Sequence, residues 1–199
     1  MQAEHYNGLI AVWKEQGYTS HDVVAKLRGI LHQKKIGHTG TLDPQAQGVL
    51  AVGLGLGTKT FDLLPDHWKT YEAEVTFGVQ TDTEDIWGNV LKTHDVSKTP
   101  EEIIQAICSF GGTYDQIPPM YSAKKIDGKK LYQLAREGKI VERKAVPVTL
   151  KDIQVLSVKD NKARFIVTCS AGTYIRTLCV DIGKKLGCEA CMSSLTRVM

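Results

Sequence analysis

Apolar residues recur along the chain with two different spacings, and each spacing predicts one kind of secondary structure. Lys69–Gly78 alternates with a period of two, which places Tyr71, Ala73, Val75 and Phe77 on one face of a half-buried strand. Other runs typical of strands are bounded by turn residues, at Gly8–Trp13, Val49–Leu56, Gly111–Tyr114, Pro147–Val158 and Lys162–Ser170.

Helical spacing is found in the segments between these runs. Residues 20–32 carry Val23, Val24, Leu27, Ile30 and Leu31 at the intervals of an amphipathic helix, with Ser20 as the N-cap. Further helices are predicted from Thr58 into Leu64, over Pro100–Cys108, from Leu131 to Ala135, and from a cap at Thr173 to a stop at Gly187. We expect one α+β domain, built on a mixed, largely antiparallel sheet flanked by helices.

The composition is that of an ordinary globular protein, with 42% apolar and 24% charged residues. No run approaches the roughly 18 apolar residues of a membrane span, and the first residues do not have the pattern of a signal peptide. Five cysteines in apolar contexts predict reduced thiols in a cytoplasmic protein. Cys188 and Cys191 form a C-x-x-C pair. A structural zinc site would need a second such pair, which the other cysteines do not supply. A redox dithiol is the alternative to two plain reduced thiols.

Positive charge is concentrated in one segment of the chain. Lys124–Lys144 contains eight Lys/Arg and three Asp/Glu, a local +5, whereas the whole chain carries only +3. A basic segment on a slightly acidic body suits a polyanion such as RNA. A solvated helix or loop face is the simpler alternative.

The stretch Gly37–Leu50 is polar and glycine-rich before it turns apolar, which places its side chains at a sheet edge. It contains a single carboxylate, Asp43, followed by Pro44. Local rules also allow Asp43 as the N-cap of a short helical turn that Gly48 would close. The spacing alone does not separate a helix cap from a catalytic carboxylate.

Two other stretches resemble a phosphate-binding loop and a calcium-binding loop, but each lacks residues that its motif requires. Gly53–Thr60 lacks the Gly-Lys-Ser/Thr ending of a phosphate-binding loop. Gln80–Asn89 is acidic but lacks the ligand ladder of a calcium loop. We therefore expect no nucleotide, metal ion or other cofactor.

The segment Gly-His-Thr-Gly-Thr-Leu-Asp-Pro-Gln-Ala-Gln-Gly-Val-Leu at 37–50 resembles the catalytic motif of the TruB family of pseudouridine synthases. Those enzymes make pseudouridine in the T-loop of transfer RNA. The resemblance extends from about Gly8 to Val198, although Glu15 replaces the proline of the family's Lys-Pro-x-Gly-x-Thr-Ser pattern at 14–20. It implies the pseudouridine synthase fold for one catalytic domain over 1–199, with a basic RNA-gripping insertion at about 118–146.

The resemblance also implies roles for individual residues. Asp43 would be the catalytic residue, Tyr71 would stack on the target base and Arg176 would pair with Asp43. His38, Tyr174 and Leu195 would bind the substrate, as would the lysines of the insertion, Lys124, Lys125, Lys129 and Lys130. Without the resemblance, Tyr71 is a core-facing aromatic, Arg176 a surface residue and His38 a surface or loop-bracing residue.

The function implied is isomerisation of a uridine, U55 in the T-loop, to pseudouridine by base flipping, without a cofactor. The expected partner is the T-stem-loop of tRNA, with no membrane and no metal, and the expected state is a monomer. The family normally continues into a small C-terminal RNA-binding domain, which we expect to be absent here. A non-catalytic tRNA-binding or chaperone module on the same fold is the alternative, and a glycoside hydrolase would need a second positioned carboxylate.

Overall fold

The structure is a computed structural model that describes residues 6–63, 68–126 and 128–199. In these ranges the strands are β1 Gly8–Lys14, β2 Ile36–Thr39, β3 Gln47–Leu54, β4 Lys69–Phe77, β5 Val79–Thr81, β6 Val90–Thr93, β7 Gly112–Gln116, β8 Lys125–Ile126, β9 Lys129–Lys130, β10 Val146–Lys159, β11 Lys162–Cys169 and β12 Ala190–Arg197. The α-helices are α1 Ser20–Ile30, α2 Pro100–Cys108, α3 Leu131–Arg136 and α4 Ile175–Leu186.

The main sheet has eight strands in the order β1-β3-β12-β4-β11-β10-β7, with β2 paired to β3. The pairs of β3 with β1 and β2, and of β10 with β7 and β11, are antiparallel. The pair of β12 with β3 is parallel. The predicted α+β class with a mixed, largely antiparallel sheet is confirmed. Among the residues that the structure describes, no helix is long and apolar enough to cross a membrane.

The chain divides into two compact units, Met1–Tyr71 with Leu195–Met199, and Glu72–Ser194. In the first unit, one side of α1 and the inner residues of β2 and β3 form the core: Val23, Val24, Ile36, Leu50, Val52 and Leu54. The helix lies against the sheet because its apolar residues recur every third or fourth position.

In the second unit, α2 packs against β10 and α4. The apolar stripe predicted for α4 is buried, and the helix ends at Gly187 in the left-handed conformation, with φ +72°. Strands β10 and β11 form a hairpin whose two turn residues, Asp160 and Asn161, both have positive φ. This backbone twist matches that of the paired strands.

The structure corrects several predicted boundaries. Thr19, not Ser20, is the N-cap of α1, since Thr19 and Asp22 form a reciprocal capping box. Tyr174, not Thr173, precedes α4, and the Thr173 hydroxyl bonds instead to the carbonyl of Ser170 at 2.9 Å. The helix predicted from Thr58 is replaced by two 3₁₀ turns, Gly55–Lys59 and Phe61–Leu63, and its Leu64 lies outside the described residues.

Candidate active site

Asp43 lies half-buried in the loop between β2 and β3. The loop makes one tight turn, in which the amide of Ala46 donates to the carbonyl of Asp43 at 3.1 Å. The short helical turn allowed by local rules does not form, and Gly48 belongs to β3. Asp43 is therefore not a helix cap, and its carboxylate sits on a braced loop.

Lys14, the last residue of β1, bonds to this loop through its side chain. Its side chain is 0% exposed, and its Nζ donates to the carbonyls of Tyr18 at 2.6 Å, Glu15 at 3.0 Å and Pro44 at 3.2 Å. Burial lowers the pKa of Lys14, and the negative charge of Asp43 partly opposes that shift. The buried ammonium thus fixes the backbone immediately after Asp43 and places a positive charge near its carboxylate.

A second anchor comes from the first residue of α1. The buried Ser20 hydroxyl accepts from the amide of Leu42 at 3.0 Å and lies 3.3 Å from the carbonyl of the same residue. The amide of Gly17 donates to the carbonyl of Pro44 at 2.8 Å. The residues on both sides of Asp43 are therefore tied to the segment 14–20, for which the sequence indicated only a turn and a helix start.

The third anchor is Arg197, which is 3% exposed at the end of β12. Its guanidinium donates to the carbonyls of Gly40 at 2.9 Å and Val49 at 2.6 Å, one on each side of the Asp43 loop. Gly48 faces the backbone of Arg197 so closely that a Cβ would lie 2.1 Å from its carbonyl oxygen. Only glycine lets β12 approach β3 at this point.

His38 lies on β2, half-buried, and its ring meets the ring of His21 edge-on at 5.3 Å between centroids. Its Nδ1 is buried and has no hydrogen-bond partner among the described residues. Burial, His21 and the charge of Arg197 lower the pKa of His38, which favours the neutral imidazole. A neutral ring beside the Asp43 loop suits contact with an uncharged base better than contact with a phosphate.

Tyr71 and Leu195 are both buried, at 7% and 8% exposure. The period-two pattern predicted for β4 is confirmed, since Tyr71, Ala73, Val75 and Phe77 are all buried on one face. The simple structural interpretation of Tyr71 as a core-facing aromatic therefore holds, and it is compatible with a role as a rigid platform.

Arg176 belongs to the second unit, in the first turn of α4. It is 5% exposed, so its interpretation as a surface residue is wrong. Its guanidinium donates to the carbonyls of Thr83 and Tyr121, both at 2.9 Å. The residue before α4, Tyr174, is fixed by the buried Gln116, whose side-chain amide bonds to its backbone amide at 2.8 Å and its carbonyl at 3.1 Å. The pairing of Arg176 with Asp43 stays a prediction.

Strands β8 and β9 form a small antiparallel hairpin that brings Lys125 opposite Lys130. Lys124 precedes it, and its carbonyl accepts from the amide of Leu131 at 2.9 Å. We call this element, with Lys124, Lys125, Lys129 and Lys130, the basic hairpin. Its lysines are exposed or half-buried. The local fold therefore concentrates positive charge on one short element.

None of the five cysteines forms a disulfide, and four of the five are buried. Burial raises the pKa of Cys188, and raises that of Cys191 to about 11. A redox dithiol needs a thiolate at neutral pH. The surroundings of this C-x-x-C pair therefore favour plain buried thiols.

Residues 28–175 match the family described as TruB family pseudouridylate synthase (N terminal domain). The chain belongs to the TruB family. The matched residues include the Asp43 loop, Tyr71, the basic hairpin and the beginning of α4.

The TruB-family relatives are similar over nearly all of this chain. The tRNA pseudouridine synthase B of Alkaliphilus oremlandii is 52% identical over 191 residues, which are 96% of this chain and 64% of the relative. That of Clostridium novyi is 50% identical over 192 residues, 96% of this chain and 66% of the relative. The chain thus spans just under two thirds of the length of these relatives.

Solved structures agree with the TruB-family fold. A chain of a Cbf5-Nop10-Gar1 complex superimposes with a TM-score of 0.74 at 33% identity, covering 96% of this chain and 48% of that one. A chain of an H/ACA RNP bound to a substrate RNA containing 2'-deoxyuridine gives 0.70 at 31% identity, over 96% and 47%. The pseudouridine synthase fold is therefore confirmed.

Proposed function

We propose that this chain is the catalytic part of a tRNA pseudouridine synthase and isomerises a uridine, U55 in the T-loop, to pseudouridine. The observation that supports this most directly is the Asp43 loop, whose sequence matches the TruB catalytic motif. Lys14, Ser20 and Arg197 brace that loop. The relatives of similar sequence carry the name tRNA pseudouridine synthase B.

The reaction breaks the N1–C1′ glycosidic bond, turns the uracil and rejoins it to the sugar through C5, from which a proton then leaves. Asp43 acts either as a nucleophile or as the base that removes the C2′ proton, and both routes need one ionised carboxylate at a fixed position. Fixed anchors on both sides of Asp43 supply that position, because the geometry is established before the substrate binds.

The other residues support this carboxylate. Arg176 pairs with Asp43 and orients its carboxylate, since a guanidinium bonds to a carboxylate in a directional, forked geometry. Tyr71 stacks on the uracil, and a buried ring is a rigid surface for a flat base. His38, Tyr174 and Leu195 contact the nucleotide around it. Water must be excluded while the sugar is detached from the base, or the sugar would be hydrolysed.

The basic hairpin binds the phosphates of the T-stem-loop. The target uridine has to leave its stack to reach Asp43, at a cost of a few kcal/mol. Phosphate contacts offset this cost, and they make RNA binding weaker at higher salt because each contact releases counterions.

Release of tritium from C5-labelled uridine in tRNA tests the proposal directly, because isomerisation frees the C5 hydrogen. The chain should release tritium, and Asp43→Asn should abolish release while its tRNA affinity changes less than about 3-fold. Asp62→Asn, an exposed aspartate of the same unit, is the matched control and should retain full activity. Substantial turnover by Asp43→Asn would refute the assignment.

The same assay separates the non-catalytic alternative. A tRNA-binding or chaperone module would bind tRNA without releasing tritium, and Asp43→Asn would then change nothing. A glycoside hydrolase would free uracil without forming pseudouridine, which nucleoside analysis of the product detects.

A further inference from the structure

Two consecutive residues of the 82–85 loop bond to two consecutive residues of the first turn of α4. The Arg176 guanidinium donates to the carbonyl of Thr83 at 2.9 Å. The hydroxyl of the next residue, Thr177, donates to the Glu84 carboxylate at 2.6 Å. We call these four residues the clasp. Thr177 is 4% exposed, so its bond to Glu84 forms largely out of contact with water.

The loop side of the clasp is itself fixed in place. The carbonyl of Glu84 accepts from the amide of Met192 on β12 at 3.0 Å, and the amide of Ile86 donates to the carbonyl of Met192 at 2.8 Å. The Thr81 hydroxyl closes the loop on the carbonyl of Asp85 at 2.7 Å. A shift of Glu84 relative to α4 would therefore break several bonds at once.

The backbone of Glu84 also marks this position as unusual. Its φ of +65° lies in the left-handed region, where glycine and asparagine are favoured over a long side chain. A strained non-glycine residue persists only where the surrounding structure holds it, and such residues cluster at functional sites. The Glu84 carboxylate accepts the hydrogen bond of the Thr177 hydroxyl, so the strained residue is tied to α4 by its side chain.

Glu84 lies at the wall of a cavity of about 310 Å³, which titratable groups of several elements line: Tyr114, Asp115, Arg143, Asp181 and Lys184. Burial raises the pKa of Glu84, whereas the bond from Thr177 and the charges of Arg176 and Lys184 oppose the rise. Asp181 adds to it. The first turn of α4, which carries Arg176 and Thr177, therefore affects the pKa of the Glu84 carboxyl group.

We propose that Glu84 is a positioning residue: through Thr177 it locks the first turn of α4 so that the Arg176 guanidinium keeps one orientation. The carbonyls of Thr83 and Tyr121 set two donor directions of that guanidinium, and the Glu84–Thr177 bond fixes the helix from which it extends. This inference rests on the proposed function, in which Arg176 acts on the catalytic carboxylate.

The test is the single-turnover rate of tritium release, measured beside the affinity for a T-stem-loop RNA. Glu84→Ala should lower the rate about 10- to 100-fold, because a displacement of about 1 Å has an effect of that size. RNA affinity should stay within about 2-fold, since the proposed phosphate contacts belong to the basic hairpin and not to the clasp. Glu84→Gln should restore the rate to within about 3-fold, because its amide oxygen still accepts from Thr177.

Thr177→Val tests the same hydrogen bond from its donor side, since it removes the Thr177 hydroxyl at nearly constant volume. It should slow the reaction as much as Glu84→Ala does, and the double variant should be no slower than either, because both changes break one bond. Thr177→Val also keeps the inference testable where Glu84→Ala fails to fold. Asp181→Asn removes another carboxylate from the same cavity wall and should react at the wild-type rate.

The outcomes separate this inference from the function on which it rests. A wild-type chain without tritium release overturns the proposed function. An active wild type whose folded Thr177→Val variant reacts at an unchanged rate overturns the clasp and leaves the function standing. Additive losses in the double variant, or equal losses in Glu84→Gln and Glu84→Ala, would also refute it.

Discussion

Replacement of Lys14 by methionine removes the buried ammonium beneath the Asp43 loop while keeping an unbranched side chain of similar length. The change removes three bonds, to the carbonyls of Tyr18, Glu15 and Pro44. Pro44 keeps its bond from the amide of Gly17 at 2.8 Å, so two carbonyls lose a donor. A hydrogen bond from a charged donor contributes about 1.5–3 kcal/mol, and water replaces part of it here because Glu15 and Tyr18 are exposed residues.

That gross loss is partly offset, because Lys14→Met also removes the cost of burying a charge. The lowered pKa of Lys14 is the sign of that cost. We expect a net destabilisation of about 2–4 kcal/mol. For a chain of this size each kcal/mol lowers Tm by about 2–4 °C, so Tm should fall by roughly 4–16 °C.

Urea unfolding monitored by circular dichroism measures this directly, as a fall in the midpoint at constant slope. Lys26→Met is the matched control, since Lys26 is exposed and its ammonium lies over the ring of Tyr18, 5.3 Å from the centroid. The control should lose about 1 kcal/mol or less. If Lys14→Met lost no more than Lys26→Met, the ammonium would not be bracing the loop.

Three further outcomes follow from the structure. Gly48→Ala should destabilise the fold by about 2–6 kcal/mol in urea unfolding, since its Cβ would clash with the Arg197 backbone. Gly112 also has a positive φ but lies in open space, so Gly112→Ala should lose only about 1–3 kcal/mol. Equal losses in the two variants would rule out the steric explanation. The raised pKa of Glu84 means that the folded state binds more protons than the unfolded state, so this group's contribution to stability is lost as pH rises through the folded pKa. Glu84→Gln should therefore raise Tm relative to wild type more at about pH 8 than at about pH 5, and a pH-independent difference would contradict the shift. Changing the four lysines of the basic hairpin to glutamine should make the logarithmic salt dependence of tRNA binding shallower, by about 0.7–0.9 for each phosphate that the hairpin no longer neutralises, and an unchanged slope would place the RNA elsewhere. The control changes four exposed lysines of the same unit, Lys151, Lys159, Lys162 and Lys185.

Elements governed by neighbouring residues were predictable from the sequence. The bounds of α2 agree with the prediction, because Thr99 and Glu102 form a capping box around the first turn and Pro100 occupies its first position. The alternation in β4 and the stripe of α4 placed their buried faces correctly. In each case the deciding interactions lie within a few residues along the chain.

Caps and turns were less predictable where a residue had a distant competitor. Ser20 is a good N-cap by local rules, but its hydroxyl bonds to Leu42, and Thr19 takes the cap. Gly48 looked like the end of a helical turn, but its small size serves the approach of β12. Local propensity allows a residue several roles, and contacts with distant residues decide which of them it adopts in the fold.

The sequence by itself determined the family, the secondary structure of the long periodic segments and the motif that carries Asp43. The tertiary structure alone decided that Lys14, Arg176 and Arg197 are buried, because each of them bonds to at least one carbonyl group far along the chain. Lys14 reaches Pro44 across 30 positions and Arg197 reaches Gly40 across 157. No pattern in a window of neighbours encodes such a bond, since a charged side chain enters the interior only where the fold gathers enough acceptors around it.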